Sequence, residues 1–258
     1  MSSMVMHARP TVERGEHHSL LLWLIFTGLV FFGLFLAIDY GLIATLIETD
    51  RSKISIVIML IYFLVTCHCA IRVTQVSREL NETRRLASEL KSNPDYLTET
   101  NSEGMPVFLQ KQPRSVIRDY ICDLFRKYRT DRGTDEIPGH DLLEVYAAEL
   151  KNPQEIGWFI SDIMLKLGLV GTIVGFIVML SSVANITDFD VSTMQKILQL
   201  MSSGMGTALY TTLTGLAGSV LAATQYYIID RTVDENLAML QHLTEIDMHM
   251  PLSRAANS

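Results

Sequence analysis

Residues Leu20 to Ile38, LLLWLIFTGLVFFGLFLAI, form nineteen nearly uninterrupted apolar positions. At 1.5 Å per residue they make about 29 Å of helix, enough to cross a hydrocarbon core of roughly 30 Å. Three further stretches have the same character: Ile54 to about Val76, about Ile160 to Val183, and about Gly204 to Ile229. Hydrophobic residues make up 48% of the chain and its mean hydropathy is positive, yet 19% of its residues are charged, so the crossings are joined to a sizeable aqueous part. The expected class is all-α: an integral membrane protein whose four transmembrane helices extend into a helical cytoplasmic domain.

The distribution of lysine and arginine orients the crossings. Residues 76–158 hold twelve of them, residues 48–53 two, and residues 186–203 one. Positive charge stays in the cytoplasm, so both termini and the long middle segment are expected inside. The chain then divides into a cytoplasmic tail (1–18), a first transmembrane helix with its outer end (19–47), and a second transmembrane helix (54–76). A helical cytoplasmic domain (77–158) and a third transmembrane helix (159–185) come next. A periplasmic loop and helix start (186–203), the fourth transmembrane helix (204–229), and a cytoplasmic C-terminal helix and tail (230–258) complete it. No small-residue cleavage site follows the first apolar run, which reads as a retained anchor. Within the middle segment, Val116, Ile117, Tyr120, Ile121, Leu124, Phe125 and Tyr128 fall on one helical stripe. A short helix is expected near Asp141 to Lys151, with Asn152-Pro153 opening the helix of the third crossing.

The third and fourth crossings carry unusual residues. The stretch GLVGTIVGF, 168 to 176, places Gly168, Gly171 and Gly175 around Thr172, although each glycine costs a helix roughly 1 kcal/mol relative to alanine. Counted from the inner boundary, Thr172 lies about 14 Å deep; Thr212, counted from the outer boundary, lies about 12 Å deep, so the two hydroxyls approach one level. Thr207, Thr211 and Thr214 form a one-sided row nearby, with Gly215 and Gly218 close to it. Small residues let transmembrane helices touch, and threonine can bond to its own backbone. So many hydroxyls at midplane depth nevertheless point toward protein or water rather than lipid.

GLVGTIVGF followed by ALYTTLTGL (208 to 216) resembles the paired signature of the MotA/TolQ/ExbB proton-channel family. Four crossings with a long cytoplasmic segment resemble its flagellar-stator branch, whereas the first motif is closer to the TolQ/ExbB branch. The proline common near the end of the second motif is absent, and Leu221 stands about there. The resemblance implies a homopentamer in the bacterial inner membrane around a dimer of a single-span partner of MotB/TolR/ExbD type, whose aspartate carries the ion. It implies that Thr172 and Thr212, with Thr207, Thr211 and Thr214, line the wall facing that aspartate, and that Gly168, Gly171, Gly175, Gly215 and Gly218 pack the helices. Protons are the expected ion; the tandem Thr211-Thr212 resembles sodium-driven subunits, where added oxygen ligands suit a hard cation.

The remaining polar residues fit around this reading. Crossings two, three and four contain no Asp or Glu between their ends, so this chain is not expected to relay a proton alone. Asp39 lies at the outer interface if the first span starts near Leu20, and in the bilayer if it runs from Leu24 to Ile47. Asp162 and Lys166, four apart at the inner end of the third crossing, form a candidate inner-gate pair or an interfacial pair with a snorkelling lysine. Cys67, His68 and Cys69 invite a metal reading, but cysteines two apart on a helix point to different faces, so no cofactor is expected. A net charge of −7 without a basic stripe excludes nucleic acid as a partner. No nucleophile-base pair or P-loop supports catalysis, and GMGTAL (204 to 209) opens a membrane helix rather than a dinucleotide site. The expected function is that of a channel-forming subunit of an ion-motive-force-driven transducer, not an enzyme, with a non-conducting membrane scaffold as the alternative.

Overall fold

The computed structural model describes residues 18–92, 115–130, 139–184 and 191–244. Expectations for the N-terminal tail, the proline-containing stretch from 93 to 113, residues 186–190 and the end of the chain fall outside these residues. The described residues form α1 (His18–Asp39), α2 (Leu42–Thr49), α3 (Ile54–Ser92), α4 (Val116–Thr130), α5 (Gly139–Ala184) and α6 (Val191–His242).

Three described helices contain segments long and apolar enough to cross a membrane: Ser19–Asp39, Ile54–Glu89 and Asp141–Ser181. The expected fourth crossing lies inside α6 but outside this set. Between Gly204 and Ile229 it has no charged side chain, yet it carries five threonines and four glycines, which lower its hydropathy. At 39, 46 and 52 residues, α3, α5 and α6 reach about 58, 69 and 78 Å, well beyond the roughly 30 Å of a hydrocarbon core. Each therefore joins an apolar segment to a stretch that projects from it.

The first helix ends where the Leu20–Ile38 reading of that crossing placed it, and one other expected boundary differs from the structure. The first apolar helix stops at Asp39, because Gly41 takes a left-handed conformation (φ +70°) that reverses the chain into α2. Asp39 is thus an exposed helix-end residue rather than a mid-helix carboxylate. At the other end, no break separates residues 141–151 from the third crossing, since α5 runs through Pro153. An interior proline costs a helix about 3 kcal/mol and a backbone hydrogen bond. Here neighbouring contacts hold the disturbed turn: Arg72 Nη2 of α3 donates to the Leu150 carbonyl (3.2 Å), and Lys151 pairs with Asp234 of α6 (2.8 Å).

α3, α5 and α6 share one core, built from Ile58, Val65, Cys69, Met164, Ala222, Tyr226 and Ile229. A second core lies where α4 lies across the far ends of α3, α5 and α6, and it contains Leu86, Ile117, Tyr120, Leu124, Tyr146 and Leu240. The apolar stripe of α4 supplies most of it. The helix is seated by the Val116 N–H, which donates to Glu79 Oε2 (3.1 Å), and its neighbours are tied by Thr83 Oγ1 to Asn236 Oδ1 (2.7 Å). At the opposite end of α3, the buried Asp50 accepts from Ser52 N (2.9 Å), Ser52 Oγ (2.6 Å) and Ser55 N (2.8 Å), capping the helix. Burial alone would raise its carboxyl pKa, but these hydrogen bonds outweigh it and hold the group below the usual value.

Candidate functional site

The α5–α6 seam is antiparallel and keeps one register over many turns. Gly157 meets Tyr226, Ser161 meets Ser219, Gly168 meets Gly215, Gly171 meets Thr211, and Gly175 meets Ala208 and Gly204. A Cβ at Gly215 would stand 2.7 Å from Gly168 Cα, and one at Gly175 would stand 2.7 Å from Ala208 N. The two backbones therefore touch, and no larger residue fits between them. Dispersion contacts along this line offset the low helix propensity of the glycines. Gly218 fits the same pattern, with Met164 Cε 2.5 Å from where its Cβ would lie.

This register divides the threonines into two sets. Thr211 is fully buried against Gly171, and its hydroxyl donates to the carbonyls of Thr207 (2.9 Å) and Ala208 (3.0 Å). Thr207 is also fully buried, donating to the Thr49 carbonyl at the end of α2 (2.8 Å). The part-buried Thr214 donates to the Tyr210 carbonyl (2.8 Å) and lies two turns from Thr207 on the same helical flank. That flank faces the rest of the chain, since Gly218 approaches Ile58 and Gln225 bonds to Tyr62 and Thr66 of α3. The expectation that Thr207 and Thr211 face a partner therefore meets a steric correction: the chain's own helices enclose both.

Thr172 and Thr212 lie on the other flank. Each follows a seam residue, Gly171 or Thr211, by one position, and in an antiparallel pair one step turns both side chains to the same side. The Ser161–Ser219 hydroxyl contact (3.3 Å) marks the same margin two to three turns away. Thr212 Oγ1 donates to Ala208 O (3.0 Å) and reaches Gly168 O across the seam (3.4 Å), while Thr172 Oγ1 donates to Leu169 O (2.6 Å). Both are partly exposed, and Leu169, Phe176, Leu209 and Leu216 beside them are exposed. This flank is a shallow surface with two hydroxyls at one level inside an apolar border. It can present oxygen atoms to an ion or carboxylic acid brought to it, but it has no ionisable group of its own at that depth. Asp162 and Lys166, both exposed, pair on α5 toward its Ser161 end.

Several residues of the site were not singled out from the sequence. Gly157 receives the ring of Tyr226, whose hydroxyl contacts His68 Nδ1 (2.8 Å), and Gly206 accommodates Thr49. Gln225 is fully buried between α3 and α6. A lone amide in the apolar run LAATQYYII was the available signal for it. Cys67 is exposed and Cys69 buried, so they lie on different faces, and no metal-binding group of three is found among the described residues.

Comparison with known proteins gives one match. The model of the MotA/TolQ/ExbB proton channel family matches residues 140–242, which take in nearly all of α5 and the whole of α6. No curated protein and no solved structure matches the chain.

Proposed function

Since residues 140–242 make this chain a member of the MotA/TolQ/ExbB proton channel family, we propose that it is the channel-forming subunit of an ion-driven rotary motor or energy transducer in a bacterial inner membrane. Five copies surround a dimer of a single-span partner, and the α5–α6 flank bearing Thr172 and Thr212 faces the partner's aspartate. Neutralisation of that aspartate changes which wall position it prefers, and the helices turn relative to one another. The observation that carries this reading is the flank itself: two hydroxyls at one level, partly exposed, on the side that α1 and α3 leave uncovered. An apolar surface interrupted by hydroxyls is better matched by a polar partner than by lipid.

Protons are the ion the geometry favours. Of the tandem threonines that suggested sodium, Thr211 is buried in the seam and only Thr212 is presented, so the flank lacks a second adjacent ligand. Asp162 and Lys166 mark the inner end of the wall. Gly168, Gly171, Gly175, Gly215 and Gly218 keep α5 and α6 close enough to act as one rigid element.

The test is to co-express the chain with a single-span partner and to measure ion flux and mechanical or transport output in Thr172→Ala and Thr212→Val. Loss of flux with assembly intact is expected in both. Unchanged flux in both variants would leave only a scaffold role and overturn the proposal.

A further inference from the structure

The outward face of α5 carries a row of charges. Lys151, Glu155, Asp162 and Lys166 follow one another at spacings of four, seven and four, so they share one side of the helix, and all four are exposed. Gly157, Ser161, Met164 and Gly168, on the opposite side, face α6. Packing fixes the level of the row against the neighbouring helices. Ser161 Oγ donates to the Ser219 carbonyl (2.9 Å), and a Cβ at Gly218 would stand 3.5 Å from Ile58 Cγ2 and also meet Met164. Asp162 therefore lies level with Ser219 of α6 and with the Ile58 turn of α3. From there toward the end of the bundle that α4 covers, α3 runs thirteen more residues without Asp, Glu, Lys or Arg, to Ile71, and α6 runs ten, to Ile229. These stretches are about 20 and 15 Å long. Read on α5 alone, Asp162 and Lys166 stand at the edge of the membrane; set against α3 and α6, they stand well inside it.

Charged side chains at hydrocarbon depth face protein or a water-filled cavity rather than lipid. The exposed faces of the other membrane segments offer no matching charges: Phe32 and Phe35 on α1, Leu60 and Phe63 on α3, and Leu213 and Val220 on α6 are all apolar. A second copy pressed on α5 by any of these faces would bury the row against hydrocarbon, so water is the occupant that fits. We propose that the row lines a water-filled vestibule, open at the α4 end, which enters the membrane as far as Lys166, six residues or about 9 Å short of Thr172. Its ligands are water and the hydrated protons or small cations that water carries. Only its purpose rests on the channel reading, in which it is the route by which an ion leaves the hydroxyl level.

The test places spin labels on Asp162→Cys and, at the same level of α3, on Leu60→Cys, in the full chain with Cys67, Cys69 and Cys122 replaced by alanine and reconstituted in lipid bilayers. Collision with a water-soluble nickel chelate is expected to be severalfold more frequent at position 162 than at position 60, where lipid-dissolved oxygen dominates. A label on Lys166→Cys, which keeps the Asp162 carboxylate, is expected to repeat the contrast. Poor nickel access at both 162 and 166 would place the row against lipid or protein and overturn the proposal. High nickel access at position 60 as well would place the whole level outside the hydrocarbon and overturn it too. The channel reading fails separately: a wet position 162 with unchanged flux in Thr172→Ala and Thr212→Val would keep the vestibule and remove its purpose, and a dry one with flux lost would do the reverse.

Discussion

The glycines of α1 and those of α5 and α6 at the seam all lie in uncharged stretches of long helix, but the structure uses them differently. A Cβ added at Gly28 or Gly33 would meet nothing within 4 Å, whereas one at Gly168, Gly171, Gly175 or Gly215 would strike the neighbouring helix at 3.0 Å or less. The helix-propensity cost, roughly 1 kcal/mol per residue, is the same in both regions. Only in the seam is it offset by backbone contact. Glycine in a membrane helix therefore carries information when a second helix presents small residues in matching register, as Gly215, Thr211 and Ala208 do here.

The sharpest way to break this comparison is Gly215→Val. Its side chain would have to displace the backbone at Met164 and Gly168, so a loss of about 3 kcal/mol or failure to accumulate folded protein is expected, read as yield and melting temperature in detergent. Gly157→Ala comes next. Its methyl group would overlap the Tyr226 ring, which must swing away and release His68. A loss of about 1–2 kcal/mol follows, and truncating Tyr226 to Leu in the same chain is expected to recover part of it.

Asp50→Asn extends the comparison to the link that ties α1 to the seam through α2 and Thr207. Removing the charged cap is expected to cost about 1 kcal/mol near neutral pH. Because the folded carboxyl is held below its ordinary value, its contribution is present above the unfolded pKa and is lost as pH falls through the folded one. Melting followed from neutral pH to below roughly pH 4 should therefore show a decline in the parent chain that is smaller in the variant. The smallest effect, of opposite sign, is predicted for Gly28→Ala and Gly33→Ala. Each is expected to leave stability unchanged or to raise it by up to about 1 kcal/mol. A large loss at either would mean that α1 packs as closely as the seam does.

The helices themselves were legible because hydropathy and length act locally: the run from Leu20 and the stripe of α4 needed no knowledge of neighbours. The failures came where tertiary contacts decide. Pro153 signals a helix start in isolation, but Arg72 and Asp234 hold α5 together around it. The threonines were equivalent by composition and depth. Only the register, with Thr211 pressed on Gly171 and Thr207 beneath Thr49, separates packing hydroxyls from Thr212 on the open flank. Gln225 was visible as a letter, but its partners Tyr62 and Thr66 lie more than 150 positions away.

A spin label at position 212 tests the central claim most directly, in the intact assembly and in a background with Cys67, Cys69 and Cys122 replaced by alanine. Its collision rate with lipid-dissolved oxygen is compared with that of a label at Phe35, which is exposed on α1. The account predicts strong shielding at 212 relative to 35, because the flank encloses a partner helix. Equal oxygen accessibility at the two positions would place the hydroxyl wall against lipid and contradict it.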